Sequence, residues 1–128
     1  MTDTSKEQFE ALITRFGSGW EKGRTDEIVG VFAATAAFRP DPHATPITGH
    51  EAIRAYWKDI PFTQAEIKFR SGEVFTVGPW FAVEFKCTFR RRRTGELMDV
   101  RGMMACETAD ALITEMRLYW QRHVGARG

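Results

Sequence analysis

Strict alternation of apolar and polar residues marks the second half of the chain. Over residues 81–89 every second side chain is apolar, and those between are small, polar or charged. This alternation is typical of a strand with one buried face. The dipeptide Thr94-Gly95 then favours a turn, in which a three-residue loop with a left-handed glycine would set Arg92 opposite Glu96. We therefore predict a hairpin over residues 79–107.

That loop fixes which residues of the hairpin face one another. Three facing pairs are predicted on its inner face: Phe85 with Met103, Cys87 with Arg101, and Phe89 with Asp99. The face would be apolar except for one aspartate and one arginine. A wall of this composition suits a small-molecule site, where a few polar groups orient a mostly apolar ligand.

Helical spacing marks the start of the chain. The capping box Thr4-x-x-Glu7 precedes an apolar face and predicts a first helix that runs to about Lys22. The face consists of Phe9, Leu12, Ile13, Phe16 and Trp20. Gly17 and Gly19 each weaken such a helix by about 1 kcal/mol relative to alanine. Their presence predicts a neighbour packed against the helix backbone.

Two shorter helices and a strand follow. Thr25 is predicted to cap the second helix, and the box Thr48-x-x-Glu51 to open the third, which Pro61 ends. The strand between these helices should end near Phe38, because three prolines come soon after it.

From Glu66 onward the pattern is that of strands. Alternation continues to a last strand whose inner residues are predicted to be Leu112, Thr114, Met116, Leu118 and Trp120. The expected fold is α+β, with a curved antiparallel sheet of about four long strands and a short one wrapped around three helices. The space between helices and sheet must be filled by side chains or by a ligand.

Composition narrows the classes of function. With 128 residues, 43% of them hydrophobic and 27% charged, the chain is expected to form one globular domain over residues 1–128. A formal net charge of +1 argues against a nucleic-acid partner, and the arginine run at residues 90–93 is interpreted as a solvated strand edge. No signal peptide or membrane span is predicted, so the expected location is cytoplasmic.

The two cysteines are predicted to be free thiols. Cys87 has the inward parity and Cys106 the outward one, so a disulfide is not expected. Packing is favoured over nucleophilic chemistry for Cys87, because no histidine is placed to activate it. No cluster of histidines and carboxylates has the spacing of a metal site, and neither a metal nor another cofactor is predicted.

The stretch DPHATPITGHEAIRAYW at residues 41–57 and the closing LITEMRLYW resemble the loop, third helix and last strand of ketosteroid isomerases. With the order of its elements, the chain resembles the nuclear transport factor 2-like superfamily, which includes the SnoaL-like cyclases. The resemblance implies a conical fold with a deep apolar pocket. It also implies a homodimer through the outer sheet face, where Glu84, Lys86 and Thr88 are expected.

The resemblance places only part of the catalytic residues of ketosteroid isomerases on this sequence. Asp41 before Pro42 matches the general base, although it points inward only if the strand bulges by one residue. The oxyanion tyrosine falls on Phe16 and the protonated acid on Met103, and neither side chain donates a hydrogen bond. The resemblance therefore does not extend to steroid isomerisation.

Three polar residues are candidate catalytic groups, and each has a structural alternative. Asp41 would act as a base or would cap a turn. His43 would shuttle protons or would remain solvated. Arg101 would stabilise negative charge on a ligand or would pair with Asp99 on the same face.

The partner expected from this arrangement is a small, mostly apolar molecule. The side chains predicted to line its pocket are Phe16, Trp20, Phe38, Tyr56, Trp57, Phe85, Cys87, Asp99, Met103, Met116, Leu118 and Trp120. Three functions stay open. They are ligand binding with no assigned activity, a cofactor-independent isomerase, cyclase or dehydratase with Asp41 as base, and a non-catalytic dimerisation module.

Overall fold

One mixed sheet, with helices packed against one face, makes up the described part of the chain. The computed structural model describes residues 4–41 and 43–124, and for Thr4, Ser5 and Val124 the backbone alone. The helices are α1 (Thr4–Lys22), α2 (Thr25–Val29), α3 (His50–Trp57) and α4 (Ile60–Thr63). The strands are β1 (Phe32–Arg39), β2 (Ile47–Thr48), β3 (Gln64–Val77), β4 (Trp80–Arg91), β5 (Leu97–Ala109) and β6 (Leu112–Val124). None of these helices has the length and apolar character needed to cross a bilayer.

The sheet order confirms the predicted α+β class. The strands lie in the order β2-β1-β6-β5-β4-β3, and β3 to β6 form the expected antiparallel meander. The short strand β1 runs parallel to β6, with Phe38 beside Met116, and β2 pairs with the end of β1. The sheet is therefore mixed and has six strands in the described residues.

The first helix ends at Lys22, as predicted, and its predicted apolar face is buried. A Cβ atom added at Gly17 would lie 2.2 Å from the Phe69 ring, and one added at Gly19 would lie 3.0 Å from the Glu27 Cβ. The two glycines therefore let β3 and α2 approach the helix backbone. These elements are the close neighbours that the glycines predicted.

The other predicted helix ends need correction. Thr25 is the first residue of α2 and does not cap it, and Thr48 lies in β2 instead of capping α3. Gly49 precedes α3 with a φ of 90°, a conformation that favours glycine. Pro61 lies in the first turn of α4, where its missing amide costs nothing. The side chain of Thr4, in the first predicted capping box, lies outside the described residues.

The hairpin turn is one residue longer than predicted. The Arg91 amide donates to the Glu96 carbonyl at 2.9 Å, and Gly95 takes the left-handed conformation with φ 75°. The Arg92 amide donates instead to the Thr63 carbonyl at the end of α4. Because Arg92 is bonded to that helix end, it belongs to the loop and does not face Glu96.

The extra loop residue shifts β5 by one position along β4 and turns its side chains over. Asp99, Arg101 and Met103, predicted on the inner face, lie on the outer face opposite Thr88, Lys86 and Glu84. The buried inner residues of β5 are Met98, Val100, Met104 and Cys106. The outward orientation predicted for Cys106 is therefore wrong for the same reason.

A β-bulge alters the start of the last strand. Ile113 and Glu115 face consecutive residues of β5, which leaves Thr114 as the extra residue. Ile113 is consequently buried where Leu112 was expected, while Met116 and the inner residues after it keep their predicted side.

Candidate functional site

A cavity of about 140 Å³ lies between the helices and the inner face of the sheet. Six of the predicted pocket residues line it: Trp20, Tyr56, Trp57, Phe85, Leu118 and Trp120. The other residues of its wall are Ile60, Gln64, Phe89, Arg91, Val100 and Arg122. The wall is therefore mostly apolar and aromatic, with a small number of polar side chains.

Two tryptophans form the helix side of this wall. The ring centroids of Trp20 and Trp57 are 5.1 Å apart in an edge-on arrangement. Phe16 packs behind them, with its centroid 6.1 Å from Trp20 and 5.4 Å from Trp57. Four residues predicted to line the pocket are fully buried away from it in the core: Phe16, Phe38, Cys87 and Met116.

Trp120 is positioned from two sides. Its indole nitrogen donates to the Pro40 carbonyl at 2.6 Å, which ties β6 to the end of β1. Across the sheet it faces Gly102, where an added Cβ atom would lie 2.7 Å from the Trp120 Cα. Only glycine leaves room for this approach of β5 to β6, so Gly102 helps to hold the indole at the cavity.

The indole N–H groups of the two wall tryptophans on the helices differ in their partners. Trp20 Nε1 donates to Gln64 Oε1 at 3.0 Å. Trp57 Nε1 is buried and has no hydrogen-bond partner among the described residues. An unsatisfied buried donor typically costs about 1–3 kcal/mol.

Two arginines of the wall, Arg91 and Arg122, were not predicted from the sequence, although both lie at inward-facing positions of their strands. Arg91 continues the inward parity of Phe89 in β4, and Arg122 continues that of Trp120 in β6. Arg91 Nη1 is 3.9 Å from Glu96 Oε1, which is too far for a hydrogen bond. The Arg122 side chain has no hydrogen bond or ion pair with any described residue. Both guanidinium groups therefore have free donors near the cavity.

Gln64 and Tyr56 add neutral polar groups to the same wall. Gln64 is placed by the turn from α4 into β3, a boundary that the sequence pattern did not reveal. Burial raises the pKa of the Tyr56 phenol, so it stays protonated and able to donate at neutral pH.

The Arg101–Asp99 pair lies on the outer face of the sheet, away from the cavity. Arg101 Nη2 donates to Asp99 Oδ2 at 2.8 Å, and Lys86 Nζ lies 3.8 Å from the same oxygen. The pairing that was one of two alternatives for Arg101 is confirmed, but its inward orientation is wrong. Met103 is likewise exposed on the outer face, beside Tyr119.

This pair also sets the ionisation of Asp99. The hydrogen bond from Arg101 lowers the pKa of the Asp99 carboxyl below its ordinary value, and the positive charge of Arg101 acts in the same direction. A lowered carboxyl pKa stabilises the fold above the unfolded-state value of about 3.9, and this contribution is lost as the pH falls through the folded value.

Asp41 and His43 lie in the exposed loop after β1 and do not line the cavity. Asp41 Oδ1 accepts a hydrogen bond from the His43 amide at 2.9 Å, an interaction typical of a turn. The structure therefore shows the turn-capping alternative for Asp41, and an exposed side chain for His43.

Both cysteines are free, as predicted, and both are buried. Burial raises the pKa of each thiol, so neither is a thiolate at neutral pH. No group of three or more histidine, cysteine or acidic side chains among the described residues is placed to hold a metal ion.

The family model of the SnoaL-like domain matches residues 13–116. This chain belongs to the SnoaL-like domain family. The match confirms the resemblance found in the sequence, and it includes every wall residue of the cavity except Leu118, Trp120 and Arg122. A search of curated protein sequences gives no match.

Solved structures share the fold of this SnoaL-like domain at low sequence identity. A proposed isomerase from Bacillus subtilis is 22% identical, with a TM-score of 0.80 over 94% of this chain and 90% of that one. The epoxide hydrolase/cyclase-like enzyme SalBIII, of pyran ring formation in salinomycin, is 19% identical, with a TM-score of 0.80 over 98% and 100%. A proposed scytalone dehydratase from Novosphingobium aromaticivorans is 10% identical, with a TM-score of 0.81 over 96% and 89%. At these identities the likeness shows the fold alone.

Proposed function

We propose that this SnoaL-like domain binds a small, mostly apolar molecule in the cavity between its helices and its sheet. The observation that carries the proposal is the composition of the wall, where aromatic and aliphatic side chains predominate beside a few polar ones, Gln64, Arg91 and Arg122. Apolar walls with a few directed polar groups are the usual make-up of a small-molecule site.

The size of the cavity limits the ligand. An engineered cavity of about 150 Å³ lined by apolar side chains binds benzene. The volume here, about 140 Å³, therefore suits the apolar part of a ligand with one ring. A larger molecule would have to extend beyond the space enclosed by the wall.

Related folds support a ligand-binding role and leave the reaction open. SalBIII is named for a cyclase-like reaction, and the Novosphingobium protein for a dehydratase. An isomerase, cyclase or dehydratase activity in this chain would need a base at the ligand, and Asp41 is the candidate. Its exposed position and its bond to the His43 amide favour binding over catalysis.

Binding is tested with 3-phenylpropanamide, a neutral probe with one ring. We expect a saturable change in tryptophan fluorescence, because Trp20, Trp57 and Trp120 line the cavity. Val100→Phe, which adds a ring to the wall, should abolish the change. Val77→Phe, the same substitution at an exposed position in β3, should preserve it. Equal binding by both variants would contradict the proposal, and so would failure of the unaltered protein to bind both this amide and the corresponding carboxylate, 3-phenylpropanoate.

We propose in addition that the chain forms a homodimer through the outer face of the sheet. That face exposes Phe75, Met103 and Tyr119, and Met103 lies between Tyr119 and Glu84 across three strands. Exposed apolar side chains bordered by charges are typical of an interface. They offer a self-complementary surface to a second copy of the chain.

Light scattering at micromolar concentration tests the dimer. We expect twice the chain mass of 14.6 kDa for the unaltered protein. Met103→Asp should give the monomer mass, because it places a charge in the apolar part of the face. Phe62→Asp, at an exposed position in α4, serves as the control and should leave the dimer intact. A monomer mass for the unaltered protein would refute this proposal.

A further inference from the structure

Every charged side chain on the cavity wall is a guanidinium. Arg91 and Arg122 are the charged members, and none of the described residues that line the cavity is an aspartate, a glutamate or a histidine. Arg122 is exposed and the Arg91 side chain is 41% exposed, so an incoming anion can reach both guanidinium groups, and the described wall supplies no carboxylate to compete with it.

The surroundings of the two arginines leave their donors available. The Arg122 guanidinium has no ion pair or hydrogen bond within the described residues. Arg91 has one acidic neighbour, Glu96, at 3.9 Å, and this carboxylate also accepts a hydrogen bond from the Thr94 hydroxyl at 3.0 Å. Neither guanidinium therefore makes the two-pronged contact with a carboxylate for which its geometry is suited.

The neutral polar groups of the wall are donors as well. An indole nitrogen only donates, so the bond from Trp20 fixes the Gln64 side-chain oxygen towards that ring. The Gln64 amide nitrogen is left as a donor without a partner among the described residues. The wall thus offers hydrogen-bond donors and positive charge to whatever occupies it.

We propose that the ligand of this cavity is a small organic carboxylate. Its apolar body, about the size of one ring, would lie against the indoles and Phe85, and its carboxylate would bind Arg91 and Arg122. This inference rests on the proposed ligand-binding function and adds the chemical class of the ligand. Because Arg122 is exposed and Arg91 is partly exposed, water screens such an ion pair, and its strength would depend on two-pronged contacts between the carboxylate and the guanidinium groups.

The experiment compares two probes of nearly the same shape, 3-phenylpropanoate and its neutral amide. We expect the unaltered protein to bind the carboxylate about threefold to thirtyfold more tightly, the strength of two ion pairs that solvent partly screens. In the variant Arg91→Gln/Arg122→Gln this preference should disappear, while the affinity for the amide stays within about threefold. Raising the salt concentration should reduce the preference in the unaltered protein.

A matched control separates local contact from the loss of overall positive charge. Arg93→Gln/Arg101→Gln also removes two positive charges, but at the hairpin turn and on the outer face. It should keep the preference for the carboxylate. A circular dichroism melt checks that each double variant is folded.

The outcomes distinguish this inference from the proposed function. Equal binding of both probes by the unaltered protein would overturn the carboxylate assignment and leave the ligand site intact. The same would follow if the control variant lost the preference as fully as the cavity variant did. Failure of both probes to bind would instead overturn the proposed function, and the carboxylate assignment with it.

Discussion

Replacing Phe16 with alanine is expected to lower the free energy of unfolding by about 3–5 kcal/mol, the usual cost of emptying a buried phenylalanine site. Phe16 is fully buried, and its ring contacts those of Trp20, Trp57 and Phe69, with centroids 5.4 to 6.1 Å away. These rings come from α1, α3 and β3, so the cavity left by alanine would loosen three elements at once. The melting temperature should fall by on the order of 10 °C or more.

Phe62→Ala is the matched control for this substitution. Phe62 is 78% exposed in α4, so the same chemical change removes little buried surface and should shift stability by less than about 0.5 kcal/mol. Urea denaturation followed by circular dichroism measures both variants. Equal midpoints for the two would show that the ring of Phe16 is not the centre of packing that the structure indicates.

The parts of the fold with strong local signals follow from the sequence alone. The helical spacing up to Trp20 predicts α1, and the alternation over residues 81–89 predicts β4 with the correct buried face. The glycines of α1 even predict close neighbours. In each case the element can be predicted from its own residues. Burial of one side of a helix or strand sets the spacing of its apolar residues, whichever element it packs against.

The hairpin register depends on a contact that no local pattern contains. Arg92 donates its amide to the Thr63 carbonyl, and this bond with a segment about thirty residues earlier lengthens the turn by one residue. Since side chains alternate along a strand, that one residue turns the whole of β5 over. Asp99, Arg101 and Met103 consequently leave the inner face, and with them the polar groups that the predicted site relied on.

The candidate site was predictable in its apolar part and not in its polar part. Trp20, Trp57 and Trp120 follow from amphipathic patterning, which selects large apolar residues. Arg91 and Arg122 share the inward parity but fall near strand ends, where a charged residue is normally assigned to solvent. The two arginines reach the cavity only because the sheet packs against the helices. A local sequence pattern does not reveal that tertiary contact.

The second large effect expected is catalytic: the protein should show no turnover of a 5-ene-3-ketosteroid above the buffer background. The resemblance to ketosteroid isomerases assigns the position of the oxyanion tyrosine to Phe16, which is fully buried and has no polar group. The acid position was assigned to Met103, which faces outward, and its inward neighbours Gly102 and Met104 have no donor side chain either. With the observed register of β5, neither position therefore supplies an oxyanion donor.

The magnitudes support this expectation. Each missing oxyanion donor typically costs a factor of about 10²–10³ in rate, and the two losses together outweigh the 10²–10⁴ that a general base contributes. Asp41, the candidate base, is exposed and bonded to the His43 amide. Turnover comparable to that of a true isomerase would contradict the assignments on α1 and β5. Slow turnover that Asp41→Asn abolishes would instead place Asp41 at the ligand during catalysis, and would favour an enzyme for another carbonyl substrate over the binding function proposed above.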